Sequence, residues 1–364
     1  LKEGTQVWIA DVSNGKVEPL CQAYVMTTLS GRPRRRGPGV APSQMLQWTI
    51  DGSIITFLVP QDRSPKPKKK PTPSTPIIRH TREKPTPTRT YSFLMRTPHD
   101  KELFRYYTTS QLALLAPGEP PINIGRPAMY MNISLNPDGK YILAERLTEP
   151  LSYIVSYNDF PHELLVIDMD GKALSTIREV PLQEAFSRER GQGIEQDLPR
   201  EVIWRPDGKG LSFLWREEKK KKEDKREEDD DDSNRKDRLM FLAPPFAMSK
   251  VQNLVSSDKR FSQVSYSQEG RYAFATLSGG DRNDGGQEII AYDLRSKRLR
   301  QYVLVKDIDP DDPLNLPGEI MTRFTGNGIV STILSSDQKS VYLQGPGHKE
   351  SFKPQPFIDR VTIS

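Results

Sequence analysis

The side chains that could do chemistry are few in this sequence, and none forms a recognised catalytic motif. An α/β serine hydrolase needs a G-x-S-x-G pentapeptide, which places the serine on a tight turn between a strand and a helix. No such pentapeptide occurs among the 364 residues. A phosphate-binding P-loop, a G-x-G-x-x-G loop and an H-E-x-x-H metal motif are also missing from the sequence. We therefore predict no catalytic residue within this chain.

Metal and cofactor sites are not predicted either. The one cysteine, Cys21, excludes a disulfide framework and a cysteine-built zinc site. The four histidines are scattered, at His80, His99, His162 and His348. His162 follows a Phe-Pro pair and is predicted at a loop or strand edge, since no nucleophile motif accompanies it. The acidic run Asp229–Asp232 lacks the spaced ligands and central glycine of a calcium loop.

The positive charge of the chain is local. The formal net charge is +5, but residues 61–90 alone hold nine basic and two acidic residues. The rest of the chain holds 44 basic and 46 acidic residues and is nearly neutral. A nucleic-acid partner would have to bind through this one insert, which has no aromatic residues for base stacking. We predict no nucleic-acid partner.

The elements that position the side chains are repeated β-hairpins. A strand–turn–strand phrase, with an acidic residue and usually glycine in the turn, occurs at Leu46–Val59, Asn132–Leu147, Val202–Trp215, Val264–Leu277 and Val330–Gln344. A second phrase, a strand followed by Asp and a further turn and strand, occurs at Val7–Leu20, Leu164–Ile177 and Ile289–Val303. Two hairpins per unit give the four strands of a propeller blade. The predicted fold class is an all-β propeller with about five blades visible.

Two low-complexity inserts, at 61–90 and 216–238, interrupt an otherwise continuous propeller segment over residues 1–364. The first is rich in proline and lysine and the second is almost entirely charged, so both are expected to be solvated loops. Helical patterning is sparse, with one turn expected near His99–Tyr107. The four tryptophans lie on predicted strands and are expected to pack between blades. No apolar run is long enough for a membrane span.

An ordered set of motifs resembles one enzyme family. These are the G-x-P-x-x-Y stretch at Gly125–Tyr130, the PDGKY hairpin at Pro137–Tyr141, P-x-S-Y-I-V at Pro150–Val155, the Phe160-Pro161 pair and the turn Asp170–Lys172. Together they resemble the N-terminal propeller of glutamyl endopeptidase-like serine peptidases of the prolyl oligopeptidase family, which occur in plastids and bacteria. The resemblance spans nearly the whole chain outside the inserts.

The resemblance implies a longer parent protein. The parent would carry a seven-bladed propeller followed by an α/β-hydrolase domain with a Ser–Asp–His triad beyond Ser364. The chain opens on Leu1 within a strand pattern, which also favours a piece of a longer protein. The propeller would then admit peptide substrates to the hydrolase domain, in a plastid stroma or a bacterial compartment. A non-enzymatic propeller that binds partner proteins stays open as the alternative, so whether the chain serves an enzyme is undecided at this point.

Three residues are candidates for substrate specificity by the same resemblance. The family usually carries Arg-Pro before S-Y-I-V and an arginine before the later Phe-Pro pair. Here Glu149 and Asp159 hold those two positions, while neighbouring Arg146 is basic. Carboxylates at positions that could hold an acidic substrate side chain would repel it. The sequence predicts either a weakened preference for cleavage after glutamate or a neutral change between two structural loop residues.

Overall fold

The computed structural model describes most of the chain. The described residues are 4–26, 28–29, 45–69, 93–183, 198–217, 235–278, 286–309, 311–312, 316–324, 329–345, 347 and 355–364. The chain divides into two compact units. The first unit comprises Leu1–Arg32, Ser43–Leu135 and Gly139–Glu195, and the second unit contains the remainder, with most of its residues in Gln196–Ser364.

The first unit is built from antiparallel strands. They are β1 (Trp8–Ala10), β2 (Val17–Pro19), β3 (Leu46–Trp48), β4 (Ile54–Leu58), β5 (Ser110–Leu115), β6 (Ile122–Leu135), β7 (Tyr141–Leu147), β8 (His162–Asp168) and β9 (Ala173–Val180). Strands β1 and β2 form one hairpin, and β3 to β9 pair in chain order in a second sheet. Strand β6 is long, and its first half pairs with β5 whereas its second half pairs with β7. The seven-stranded sheet β3–β9 is therefore two four-stranded meanders that share one strand.

The second unit repeats the four-stranded arrangement. One sheet contains β10 (Arg200–Trp204), β11 (Leu211–Arg216), β12 (Asp237–Leu242) and β13 (Gln252–Ser257). The next contains β14 (Arg260–Tyr266), β15 (Tyr272–Ser278), β16 (Gln287–Asp293) and β17 (Arg300–Ile308). The last strands are β18 (Glu319–Ile320), β19 (Thr322–Phe324), β20 (Val330–Thr332), β21 (Ser340–Gly345) and β22 (Phe357–Thr362), with β18, β21 and β22 in one sheet. Four-stranded antiparallel sheets of this kind confirm the all-β, propeller-type fold class.

The hairpin turns form through local side-chain chemistry, as predicted. In the turn between β3 and β4, the Asp51 carboxylate accepts hydrogen bonds from the Thr49 hydroxyl and from the Ser53 amide. Gly52 then takes a φ of +83°, which residues with a side chain rarely adopt. The turn before β21 lacks glycine, and Gln338 takes the left-handed position with a φ of +57°.

The core lies between the sheets, and the central strands are buried on both faces. Leu164–Ile167 in β8 and Ile289–Asp293 in β16 are buried throughout, as their unbroken apolar character predicts. The expectation for the tryptophans is only partly met. Trp204 is buried against Phe246, but Trp8 and Trp48 are 56% and 49% exposed because their strands lie at sheet edges.

Helix α1 spans Pro98–Thr108 and is longer than the single turn expected from the sequence. The sequence feature that favours a full helix here is the capping box at its N-terminus. Thr97 caps the helix by accepting a hydrogen bond from the Asp100 amide, and the Asp100 carboxylate accepts one from the Thr97 amide. Pro98 occupies the first helical position, where its missing amide hydrogen has no cost.

Ordered residues adjoin both predicted inserts. Residues 61–69 are described, with a turn at 61–62, and the Arg63 guanidinium lies 3.4 Å from the centre of the Tyr106 ring. In the second insert β11 continues through Arg216, and β12 begins at Asp237, which is 1% exposed. Both strand ends are held by pairing that composition alone does not reveal. Residues 70–90 and 218–234, where the rest of the two predictions falls, lie outside the described part of the chain.

Two glycines from separate motifs come into backbone contact in the first unit. Gly125, at the start of the G-x-P-x-x-Y stretch, donates its amide hydrogen to the Asp170 carbonyl at 3.2 Å. A Cβ atom on Gly171 would lie 2.1 Å from the Gly125 Cα. Both glycines have positive φ, +63° and +80°. The contact requires that neither residue has a side chain.

None of the helices in the described residues is both long and apolar enough to cross a membrane. The described residues also contain no group of three or more His, Cys, Asp or Glu side chains placed to hold a metal ion.

Candidate functional site

The candidate site is the connection between β7 and β8, residues 148–161, which we call the β7–β8 segment. Glu149 and Asp159 lie within this segment, and Arg146 lies two residues before it on β7. The segment is anchored by Leu151 and Phe160, each 2% exposed. Helix α1 packs over it, with the Phe104 ring edge-to-face against the Phe160 ring at 5.7 Å. The anchors fix the backbone on which the charged side chains stand.

Glu149 forms an ion pair with the helix. Its carboxylate accepts a hydrogen bond from the Arg105 Nε at 2.6 Å and another from the Leu151 amide at 3.0 Å. The hydrogen bond from Arg105 is the main reason that the pKa of Glu149 lies below its ordinary value. The same bond raises the pKa of Arg105. Each charge is therefore neutralised locally by the other.

A second cation of helix α1 faces the same segment. The Lys101 ammonium donates a hydrogen bond to the Leu151 carbonyl and lies 3.8 Å from the centre of the Tyr153 ring. Sequence reasoning missed Lys101 and Arg105 as site residues. The four-residue spacing of these two cations puts them on one helix face, but that signal is readable only once a helix of three turns is assigned.

Arg146 is engaged by neighbouring strands and not by the β7–β8 segment. It lies directly opposite Glu163 on β8, and its Nε donates to the Glu163 carboxylate at 2.5 Å. It also lies opposite Tyr130 on β6, whose pKa is raised mainly by burial. The Arg146 side chain is about one-third exposed, at 36%. Its charge is largely offset by Glu163, so it contributes less free positive charge than the sequence suggests.

Asp159 closes a short 3-10 turn, Tyr157–Asp159. Its carboxylate accepts a hydrogen bond from the Ser156 hydroxyl at 3.3 Å, and its carbonyl accepts one from the Gln183 amide at 3.0 Å. The three predicted residues thus have separate partners: Arg146 contacts Glu163, Glu149 contacts Arg105, and Asp159 contacts Ser156. Their roles in specificity stay predictions.

A buried polar group lies beside the site, and the sequence did not indicate it. Glu145 is 1% exposed on β7, with Arg178 Nη2 at 3.4 Å and His162 Nε2 at 3.9 Å from its Oε1 atom. The His162 Nδ1 atom lies 3.0 Å from the Phe160 carbonyl oxygen. His162 begins β8, as the strand-edge prediction states. The group ties the end of the β7–β8 segment to the sheet.

The chemistry available to this site is ion pairing and hydrogen bonding. Two helix cations and two segment carboxylates lie along one connection, where a charged peptide side chain could exchange with an existing partner. The sequence contains no G-x-S-x-G motif.

Comparison with known proteins gives two curated relatives with the same description. The chain is 26% identical to a probable chloroplastic glutamyl endopeptidase of Arabidopsis thaliana over an alignment of 379 residues, which covers 98% of the chain and 35% of that protein. It is 29% identical to a protein of the same description from Oryza sativa subsp. japonica, over 58% of the chain and 21% of that protein. The chain thus spans about a third or less of these relatives. No family model matches.

Among solved structures, the chain is similar to the β-propeller domain of the trilobed protease from Pyrococcus furiosus. The alignment covers 89% of this chain and 71% of that domain's chain, at 11% identity and a TM-score of 0.39. The alignment with acylaminoacyl peptidase from Pyrococcus horikoshii covers 70% of this chain and 34% of the peptidase chain, at 13% identity and a TM-score of 0.37. The resemblance to glutamyl endopeptidases predicted from the motifs is confirmed by the two curated relatives.

Proposed function

We propose that this chain is the propeller portion of a serine endopeptidase, which admits peptide substrates to a separate hydrolase domain. The observation that carries the proposal is the alignment of 98% of the chain with a probable glutamyl endopeptidase. Hydrolysis would be performed by a Ser–Asp–His triad outside these residues, with histidine as general base for the serine. The partners of this chain would be its own hydrolase domain and the peptide substrate.

Specificity is the second part of the proposal. Glu149 and Asp159 stand where the resembling family usually carries arginine, and Glu149 also neutralises Arg105. Arg146 is paired with Glu163. An acidic substrate side chain near this segment would therefore meet few unpaired cations and two carboxylates. We expect the parent enzyme to have a weakened preference for cleavage after glutamate.

The 364-residue chain alone is expected not to hydrolyse peptides, because it carries no nucleophile motif. The measurement is cleavage of a quenched fluorescent peptide library by the purified chain, with and without a serine-directed phosphonate. Turnover that the phosphonate abolishes would contradict the proposed division between propeller and hydrolase. Turnover by a longer protein carrying the hydrolase domain, and none by this chain, would support it over a non-enzymatic propeller.

In that longer protein, Glu149→Arg is expected to increase cleavage after glutamate by about tenfold relative to cleavage after glutamine. The change removes a carboxylate and releases Arg105 from its ion pair, so two guanidinium groups become available to an acidic side chain. The measurement is the ratio of kcat/KM values for matched glutamate and glutamine peptides.

Glu119→Arg makes the same charge change at an exposed turn in the first unit and should leave this ratio within about twofold. If the unaltered enzyme already cleaves mainly after glutamate, the weakened-preference proposal fails. An equal response to Glu119→Arg and Glu149→Arg would show that net charge, and not the β7–β8 segment, sets the ratio.

A further inference from the structure

The second unit contains a large cavity far along the chain from the β7–β8 segment. Its volume is about 1200 Å³, which is larger than the roughly 300–1,000 Å³ of most small-ligand pockets. The walls come from β14–β17 on one side and from β18, β21 and the start of β22 on the other. The cavity belongs to one compact unit, so its walls are set by strand packing within that unit.

One wall is apolar. Ile289, Ile308 and Ile320 are each less than 10% exposed and form the floor, while Phe357 and Ile358 lie at the start of β22. Ile358 is 64% exposed on β22, the edge strand of its sheet. An apolar floor beneath an exposed isoleucine can bind an aliphatic or aromatic side chain.

A bulge in β17 shapes this wall. Gln287 pairs with Ile308 and Ile289 pairs with Val305, so β17 has an extra residue opposite β16. Asp307 at this bulge has a φ of +53°, a conformation that costs free energy in a residue with a side chain. Beyond the bulge, Ile308 lies opposite Gln287 and lines the cavity. Such irregularities are common where a strand aims side chains at a ligand.

Each side of the cavity also carries an amide group. Gln287 on β16 and Gln344 on β21 both line the cavity. Within the described residues, neither side-chain amide has a hydrogen-bond partner. An amide group both donates and accepts, so two of them can bind the N–H and C=O groups of a peptide backbone.

The cavity also contains one carboxylate, which bears on the charge of a ligand. Glu319 is the one ionisable side chain among the described residues that line the cavity, and none of those residues pairs with its carboxylate. Burial raises the pKa of Glu319 above its ordinary value. The residue itself is exposed at the cavity, and no described residue forms an ion pair with its carboxylate, so a cationic side chain can pair with it there.

From these observations we propose that the cavity binds an extended peptide segment bearing a lysine or arginine next to an apolar residue. The apolar side chain would contact Ile308 and Ile358, the peptide backbone would bind Gln287 and Gln344, and the cationic side chain would pair with Glu319. The site needs no hydrolase domain, and the inference stands whether or not the chain serves a peptidase.

The test is fluorescence anisotropy of the peptide Ser-Leu-Lys-Leu-Ser-amide, labelled with fluorescein at its N-terminus so that the lysine amine stays free, titrated with the purified chain. Two twin peptides carry norleucine or glutamate in place of lysine. The lysine peptide is expected to bind saturably, with about tenfold higher affinity than the glutamate peptide. Its affinity should fall as the pH falls through the pKa of Glu319, because the carboxylate is then neutralised.

Two variants separate the contributions. Glu319→Gln is expected to equalise the lysine and norleucine peptides, and Ile358→Asp to weaken all three by about tenfold or more. Both positions are exposed enough for the variants to fold, which circular dichroism would verify. Glu119→Gln, which removes a carboxylate outside the cavity, should change nothing. Failure of all three peptides to bind saturably, or binding indifferent to Ile358→Asp, would overturn the site. Binding that ignores the central side chain would overturn the choice of a basic ligand.

Discussion

Gly171→Ala is expected to lower the free energy of unfolding of the first unit by about 3 kcal/mol or more. The new Cβ atom would lie 2.1 Å from the Cα of Gly125, and the neighbouring atoms are backbone, which cannot rotate aside. The residue would also be held at a φ of +80°. The turn and the start of β6 would have to separate, which breaks the hydrogen bond from the Gly125 amide to the Asp170 carbonyl.

The measurement is chemical denaturation of the full chain followed by circular dichroism, with Gly118→Ala as the matched control. Gly118 has a similar φ of +76°, but its added Cβ would meet nothing within 4 Å. The control therefore measures backbone strain alone, about 1 kcal/mol. Equal losses in the two variants would show that the contact between Gly125 and Gly171 is not what requires glycine there.

Asp237→Ala is expected to destabilise the second unit by about 3 kcal/mol. Asp237 is 1% exposed at the start of β12, and one carboxylate oxygen accepts hydrogen bonds from Arg200 and from the Phe261 amide. Truncation leaves the mostly buried guanidinium without its counter-ion and leaves a buried amide hydrogen unpaired. The expected loss is large because both groups stay in place without water.

Asp258→Ala is the control, because Asp258 lies in the same unit with a side chain 86% exposed and only a 3.9 Å contact to Lys236. Its loss should be below about 0.5 kcal/mol. Tryptophan fluorescence reports the transition, since Trp204 and Trp215 both belong to this unit. A loss from Asp237→Ala no greater than that from the control would mean that Arg200 and the Phe261 amide find water or another partner.

The sequence predicted the strands well because hairpin signals are local. An aspartate and a glycine within four residues fix a turn by their own hydrogen bonds and φ preference, as at Asp51 and Gly52. Helix α1 was predicted as a single turn, although it spans eleven residues, because its local apolar signal is short. The capping residues Thr97 and Asp100 are visible in the sequence, but the helix shows only a short apolar pattern because much of its contact is polar, through Arg105 and Lys101 beside the Phe104 ring.

The candidate site was predicted only in part, since charge pairing depends on which elements are brought together. The sequence placed Arg146, Glu149 and Asp159 in one region, but it did not show that Arg146 is paired with Glu163 across two strands. Nor could it show that Arg105, 44 residues before Glu149, forms the ion pair that neutralises that position. The cavity with Glu319 in the second unit left no motif at all, because its walls come from separate strands.

By itself, then, the sequence determined the all-β class, the hairpin turns, the doubly buried strands β8 and β16, and the resemblance to glutamyl endopeptidases. These features depend on residues close together in the chain or on ordered motifs. The tertiary structure alone decided that Gly125 and Gly171 meet, that Asp237 is buried beneath Arg200, and that Ile308 and Glu319 share a cavity. Each of these depends on the packing of residues distant in sequence, and no local propensity encodes such a contact.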